Sequence, residues 1–277
     1  MNPDLNYKEN NSAHRYGRVV RLGFNEAKTN AFLTVKTKSR PGRDDEFHTV
    51  VIATKDEALI KKLEGIKKDI AAFKALPNEK KNETEVNMIS VDGFLRPGKN
   101  DSLDVVVLDA ANVKFSKALP NAPVPENEVA NANSINGILR FNNRAGESDT
   151  FRPRIEHLQK SADGKNQSFM LDTFLPETTR STDAKAFIEA LKKGEIAPGD
   201  AVNIQGQVFE YKGKAQIEIT HGKLLSKKQA KAETEAVEVK VEEPKQAKKE
   251  KAAPKKAAEK KASPKKQAKK PVQLKVK

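Results

Sequence analysis

One pattern occurs twice in this chain, and it restricts the fold more than any other feature. Residues 18–24, 32–38 and 47–52 are rich in β-branched, aromatic and aliphatic side chains and are separated by turn-forming segments, so they read as a three-stranded meander. The connection between the second and third contains Pro41-Gly42, which suits a hairpin loop. Thr54-Lys55-Asp56-Glu57 then reads as a capping box, and Leu59, Leu63, Ile66, Ile70 and Phe73 recur at helical spacing until Leu76-Pro77. Residues 86–93 and 103–108, the latter continuing toward Phe115, supply two more strands. After a Pro/Asn/Ala-rich stretch at 118–133 the order begins again. Strands are expected at 136–141, 151–158 and 168–174, a helix at 181–193 closed by Gly194, and strands at 202–206 and 215–219.

Landmarks in the two copies keep nearly the same offset. Gly17 and Gly137 lie 120 residues apart, and Gly93 and Gly206 lie 113 apart, so an internal duplication is the economical account. Pro153 interrupts the second strand of the second copy, which implies an edge or a bulge there. Five short strands with a helix between the third and fourth describe an oligonucleotide-binding barrel. The fold class expected is therefore all-β, with two tandem barrels carrying one helix each. The boundaries are a flexible N-terminus at 1–13, a first barrel at 14–117, a linker at 118–133, a second barrel at 134–225 and a disordered tail at 226–277.

Charge separates the tail from the rest. Residues 244–277 hold fourteen lysines against two glutamates, a formal +12 of the chain's +14, whereas residues 1–225 carry only +3. Lysine pairs alternate with alanine and proline, and no aromatic residue is present to seed a core, so the segment is expected to stay disordered and to seek a polyanion. A lysine-rich arm binds phosphates without reading bases, and its affinity is salt-sensitive through counterion release. Solubility, an acidic protein or an anionic membrane would also account for such a tail, but neither a lipidation signal nor an amphipathic pattern favours a membrane.

Composition removes several chemistries. With no cysteine, disulfides, thiolate nucleophiles and cysteine-ligated metals are excluded. His14, His48, His157 and His221 lack metal-ligand spacing, and there is no phosphate-binding Gly-rich loop, nucleophile elbow or His-Glu-x-x-His, so neither an enzymatic role nor a cofactor is expected. Residues 1–16 lack the apolar segment of a signal peptide and no stretch is long enough for a membrane span, so a cytoplasmic, nucleoid-associated protein of a cell or a phage-infected host is the default.

Lys193-Gly194 at the end of the second helix, followed by Val202-Asn203-Ile204-Gln205-Gly206, resembles the helix and fourth strand of bacterial and phage single-stranded DNA-binding proteins. Gly17-Arg18-Val19-Val20-Arg21-Leu22-Gly23 and Phe32-Leu33-Thr34-Val35 are similar to the first two strands of that family. The resemblance implies barrels that hold single-stranded DNA. Two departures stand out: the chain has no tryptophan, and it ends in Lys275-Val276-Lys277 where family members carry an acidic tip. The Ser-Pro-Lys-Lys and Ala-Pro-Lys-Lys units are instead similar to linker-histone tails, which implies a contribution to duplex binding or compaction.

Alternation assigns the candidate contacts. A period of two turns Leu33 and Val35 inward and Phe32, Lys36 and Lys38 outward, beside Arg18 and Arg21 on the preceding strand and Arg40, Arg43 and Phe47 on the hairpin. The second copy offers Arg140, Phe141, Arg144, Phe151, Arg152 and Arg154, and the tail Lys255, Lys256, Lys265, Lys266, Lys269 and Lys270. Rings stack bases of any sequence while cations follow the backbone. Against this, twelve phenylalanines are about what two small cores consume, and loop charges are often merely solvated. The function expected is sequence-tolerant binding of single-stranded DNA in replication, recombination or repair. An RNA-binding or nucleoid-compacting protein driven by its tail, and a phage structural or assembly protein, are the alternatives. Expected partners are single-stranded DNA, with RNA or duplex DNA at the tail, replication or recombination proteins, and a second copy of the chain.

Overall fold

The computed structural model describes residues 9–38, 45–99, 101–144, 150–160 and 166–228, and among these it leaves the side chains of 141–144, 150, 160 and 166 undescribed. Arg40, Arg43 and the tail lysines lie outside the described residues, as does the expectation of a disordered tail. The described residues belong to one compact unit, Met1–Lys231; the second unit is Ala232–Lys277.

The structure is mostly β. Strands β1 (Asn11–Phe24), β2 (Asn30–Thr37) and β3 (Glu46–Ala53) form an antiparallel meander, followed by helix α1 (Glu57–Ala75), a short helix α2 (Asn78–Lys81), β4 (Val86–Pro97), β5 (Leu103–Val107) and β6 (Val113–Ala118). Pairing runs β1–β2–β3–β5–β4 and returns from β4 to β1, so these five strands make a closed hydrogen-bonded circuit. Its parallel step joins β3 to β5, with Val50 opposite Val105. The second circuit repeats the first: β7 (Asn131–Arg144), β8 (Thr150–Lys160), β9 (Asn166–Pro176), α3 (Thr182–Lys192), β10 (Ala201–Tyr211) and β11 (Lys214–Ser226), with β9 parallel to β11 and β10 closing onto β7. Inward aliphatics fill each circuit, and one helix lies against each, burying Leu59, Leu63 and Ile66 from α1 and Ala184, Phe187, Ile188 and Leu191 from α3.

The glycine landmarks have a common physical cause. A Cβ at Gly17 or Gly93 would run into the carbonyl of Lys36 or Val106, and one at Gly137 or Gly206 into that of Glu156 or Glu218. Each circuit therefore needs glycine where a strand crosses closely over its neighbour. Asparagine repeats as well. The Asn11 side chain pairs with both backbone polar groups of Leu95 (2.9 and 2.9 Å), and Asn131 pairs the same way with Val208 (2.5 and 3.2 Å).

Several expectations are corrected. β1 and β7 begin at Asn11 and Asn131, ahead of the expected 18 and 136, because their leading halves pair with each other as well as with β4 and β10. Asp56, not Thr54, caps α1, accepting from the backbone of Ala58 and Leu59, while Thr54 accepts from Asp56. A 3-10 turn at Ala110–Asn112 separates β5 from β6, where β11 runs on as one strand. Of the edge or bulge expected at Pro153, the edge is overturned: β8 pairs with β7 over Phe151–Glu156 and with β9 on either side of Arg152–Pro153, while the β7–β8 register shifts at Arg140, close to the Asn142–Pro153 pair. The Pro153 carbonyl also accepts from the Thr173 hydroxyl at 2.6 Å.

The leading halves of β1 and β7 pair antiparallel with Ala13 opposite Asn133, Asn11 opposite Ile135 and Arg15 opposite Asn131. Given the 120-residue offset, each residue meets the counterpart of its own mirror position about the Ala13–Asn133 centre. The seam is thus isologous in form, a two-fold contact written within one chain.

Candidate nucleic-acid interface

A cleft of about 1210 Å³ opens between the first circuit and the β10–β11 hairpin of the second. Phe32 from β2 and Phe47 from β3 stand on the first wall, 44% and 61% exposed, because their neighbours Ala31, Leu33 and His48 take the inward positions. Arg96 approaches from the end of β4 and Lys99 from the β4–β5 connection, and Val208, Phe209 and Ala215 form the facing wall. The two circuits touch at one end, where the Ala215 N–H donates to the Asp101 carbonyl at 3.0 Å and Lys214 pairs with Asp101 at 3.4 Å. Large rings, cations and a concave surface thus come together at one place.

Beneath Glu46 and His48, which line the cleft, a polar cluster crosses the seam. Arg15 is 0% exposed and donates to the His14 carbonyl (2.7 Å) and Asn133 (3.0 Å), while its Nε and Nη2 have no acceptor among the described residues. Burial lowers its pKa to about 9, opposed by the charge of Glu46. His48 sits 3.1 Å from the Thr37 hydroxyl and 3.5 Å from Glu46. Burial, then the Arg15 charge, lowers the His48 pKa to about 4, with Glu46 working in the opposite sense, so the ring is neutral at ordinary pH.

Register relates the second circuit to the first. Val19 pairs with Val35 as Leu139 pairs with Ile155, which makes Arg152 the counterpart of Phe32, Phe151 that of Ala31, and Met170 that of Phe47. Phe151 is therefore a core residue and no part of a stacking face: Phe151 and Arg152 point to opposite sides of one strand. Arg152 lies 5.7 Å over the ring of Tyr211 and Phe174 meets Phe209 edge-on at 5.1 Å, so this circuit presents aromatics mainly from its hairpin.

The other candidates divide. Arg21 is exposed and unengaged among the described contacts. Arg18 is turned away onto the Phe73 ring of α1 at 4.3 Å. Lys36 pairs with Asp45 at 2.5 Å, and Lys38 donates to the Asn121 carbonyl at 2.7 Å. Arg140 is held by Glu156, and Arg154 by Asp172 at 2.7 Å, which neutralises much of the outer face of β7–β9. Phe141 and Arg144 belong to β7, with side chains outside the described set. Arg96, Lys99, Phe209 and Tyr211 were not anticipated. The signal for the last lay in Glu210-Tyr211-Lys212-Gly213-Lys214, an aromatic beside a basic glycine turn just beyond where the strand was expected to end.

No protein-family model and no curated protein matches the sequence. Among solved structures, the chain is similar to the wild-type single-stranded DNA binding protein from Thermus aquaticus at 12% identity and a TM-score of 0.41, covering 82% of this chain and 98% of that one. It is also similar to a deletion mutant of that protein at 11% identity and a TM-score of 0.43, covering 81% and 98%. Similarity to the small single-stranded DNA-binding protein from Streptomyces coelicolor is at 15% identity and a TM-score of 0.26, covering 36% and 94%.

Proposed function

We propose that the two closed circuits are tandem oligonucleotide-binding barrels and that the chain is a non-enzymatic, sequence-tolerant binder of single-stranded DNA acting in replication, recombination or repair. The observation that carries this reading is the pair of exposed rings, Phe32 and Phe47, on adjacent strands of one face inside a cleft walled by both circuits. Lys36 stands directly across from Phe47 on β2, and four residues along β2 from Phe32. By strand spacing the two rings are therefore about 14 Å apart, enough to support separate bases of an unpaired strand. Stacking ignores base identity, while Arg96 and Lys99 in the cleft and the exposed Arg21 on β1 would follow the phosphates. The lysines of 244–277 add sequence-blind attraction.

Anisotropy titration of the full chain with labelled oligo-dT and with duplex of equal length tests this directly. Oligo-dT is expected to bind more tightly than duplex, and Phe32→Ala with Phe47→Ala to weaken oligo-dT about tenfold or more, from a stacking contribution of about 1–3 kcal/mol per base. Equal affinity for both nucleic acids, unchanged in the double variant, would leave no role for the cleft.

A further inference from the structure

The cleft contains a carboxylate that the stacking-and-phosphate reading does not use. Asp104 is only 9% exposed, yet it lines the cleft. Val50 pairs with Val105, so Asp104 lies beside Thr49 on the outward face that also carries Phe47. From strand geometry its Cα is about 8 Å from that of Phe47, within the span of one purine stacked on that ring. The Ser102 hydroxyl donates to one oxygen at 3.1 Å and orients the group. Arg96 stands directly across from Asp104 on β4 and its charge acts on the carboxylate, but no cation forms an ion pair with Asp104 among the described residues. Gly98 approaches it closely: a Cβ there would collide with the carboxylate and with Ser102.

A carboxylate at that depth repels phosphate and accepts hydrogen bonds only. What satisfies it is a base edge that donates. On the Watson–Crick edge of an unpaired strand, guanine alone presents two adjacent donors, N1–H and the exocyclic amino group, matched to the two oxygens of a carboxylate; thymine presents one. Accordingly, we infer that Asp104 is a specificity-determining residue that selects guanine at one position of an otherwise sequence-tolerant strand. Burial raises the Asp104 pKa, against the Ser102 hydrogen bond and the Arg96 charge.

The inference rests on the single-strand reading, and one experiment separates the two. The full chain is titrated with oligo-dT, with the same oligomer carrying two dG residues, and with the oligomer carrying deoxyinosine in their place; inosine differs from guanosine only by the missing amino group. The dG oligomer is expected to bind about tenfold more tightly than the inosine one, in line with a good base contact. Asp104→Asn should bring that ratio near one, and a ratio that stays near ten in this variant would overturn the assignment. Tight binding of all three oligomers with equal affinity by the unmodified protein would overturn the guanine assignment and leave the single-strand reading standing. No binding of oligo-dT would overturn both.

Discussion

His48 shows how one buried side chain ties the candidate site to stability. Its pKa is lowered to about 4 from 6.5, so the unfolded chain binds the proton that the folded one refuses between those values. The stabilisation from keeping it neutral is complete above about pH 6.5, declines as pH falls, and is lost by about pH 4. Its full size is roughly 3 kcal/mol by the usual conversion. Chemical denaturation across pH 4–7 should show this slope in the native protein and a flatter one in His48→Gln; equal slopes would mean that the proton is taken up elsewhere. Alternation also explains a residue misread from sequence. Phe151 and Arg152 were both assigned to one binding face, but a strand cannot turn adjacent side chains to the same side, and register gives the inward position to Phe151. The exposure of Phe32 followed from the same alternation because its flanking residues, Ala31 and Leu33, are apolar and buried.

At the scale of elements, helix α3 was readable within a residue at either end, since Ser181 caps it and its apolar stripe has one interpretation. Strands were harder. The leading halves of β1 and β7 are polar, Asn11-Ser12-Ala13-His14-Arg15 and Asn131-Ala132-Asn133-Ser134, and carry no strand signal of their own. They are strands because two flanking backbones satisfy their hydrogen bonds, a condition set by distant residues. The glycines that mark the duplication are testable here. Gly206→Ala should destabilise by about 1–3 kcal/mol through overpacking against the Glu218 carbonyl, whereas Gly23→Ala, with open space around it, should be near neutral. Thermal unfolding of the two variants measures the difference, and equal midpoints would mean that the crossing relaxes without cost.

For the whole molecule, separating the unit Met1–Lys231 from Ala232–Lys277 divides short-range from long-range binding. Deleting Ala232–Lys277 removes the lysine-rich segment, so the salt dependence of oligo-dT affinity should become shallower while the preference over duplex is retained. A body that no longer binds oligo-dT would place the affinity in the deleted segment. The amino-acid sequence by itself determined the duplicated strand–helix order, the charge asymmetry and the absence of cysteine chemistry, because periodicity, glycine spacing and composition are local properties. Tertiary structure alone decided that β1 and β7 join the two circuits in an isologous seam. It also decided that Arg140 and Arg154 are neutralised by Glu156 and Asp172 while Phe32, Phe47 and Asp104 share a cleft with Phe209. Those outcomes depend on pairing between residues far apart in the chain, and the free energy of such pairing belongs to the assembled sheet, not to any segment read alone.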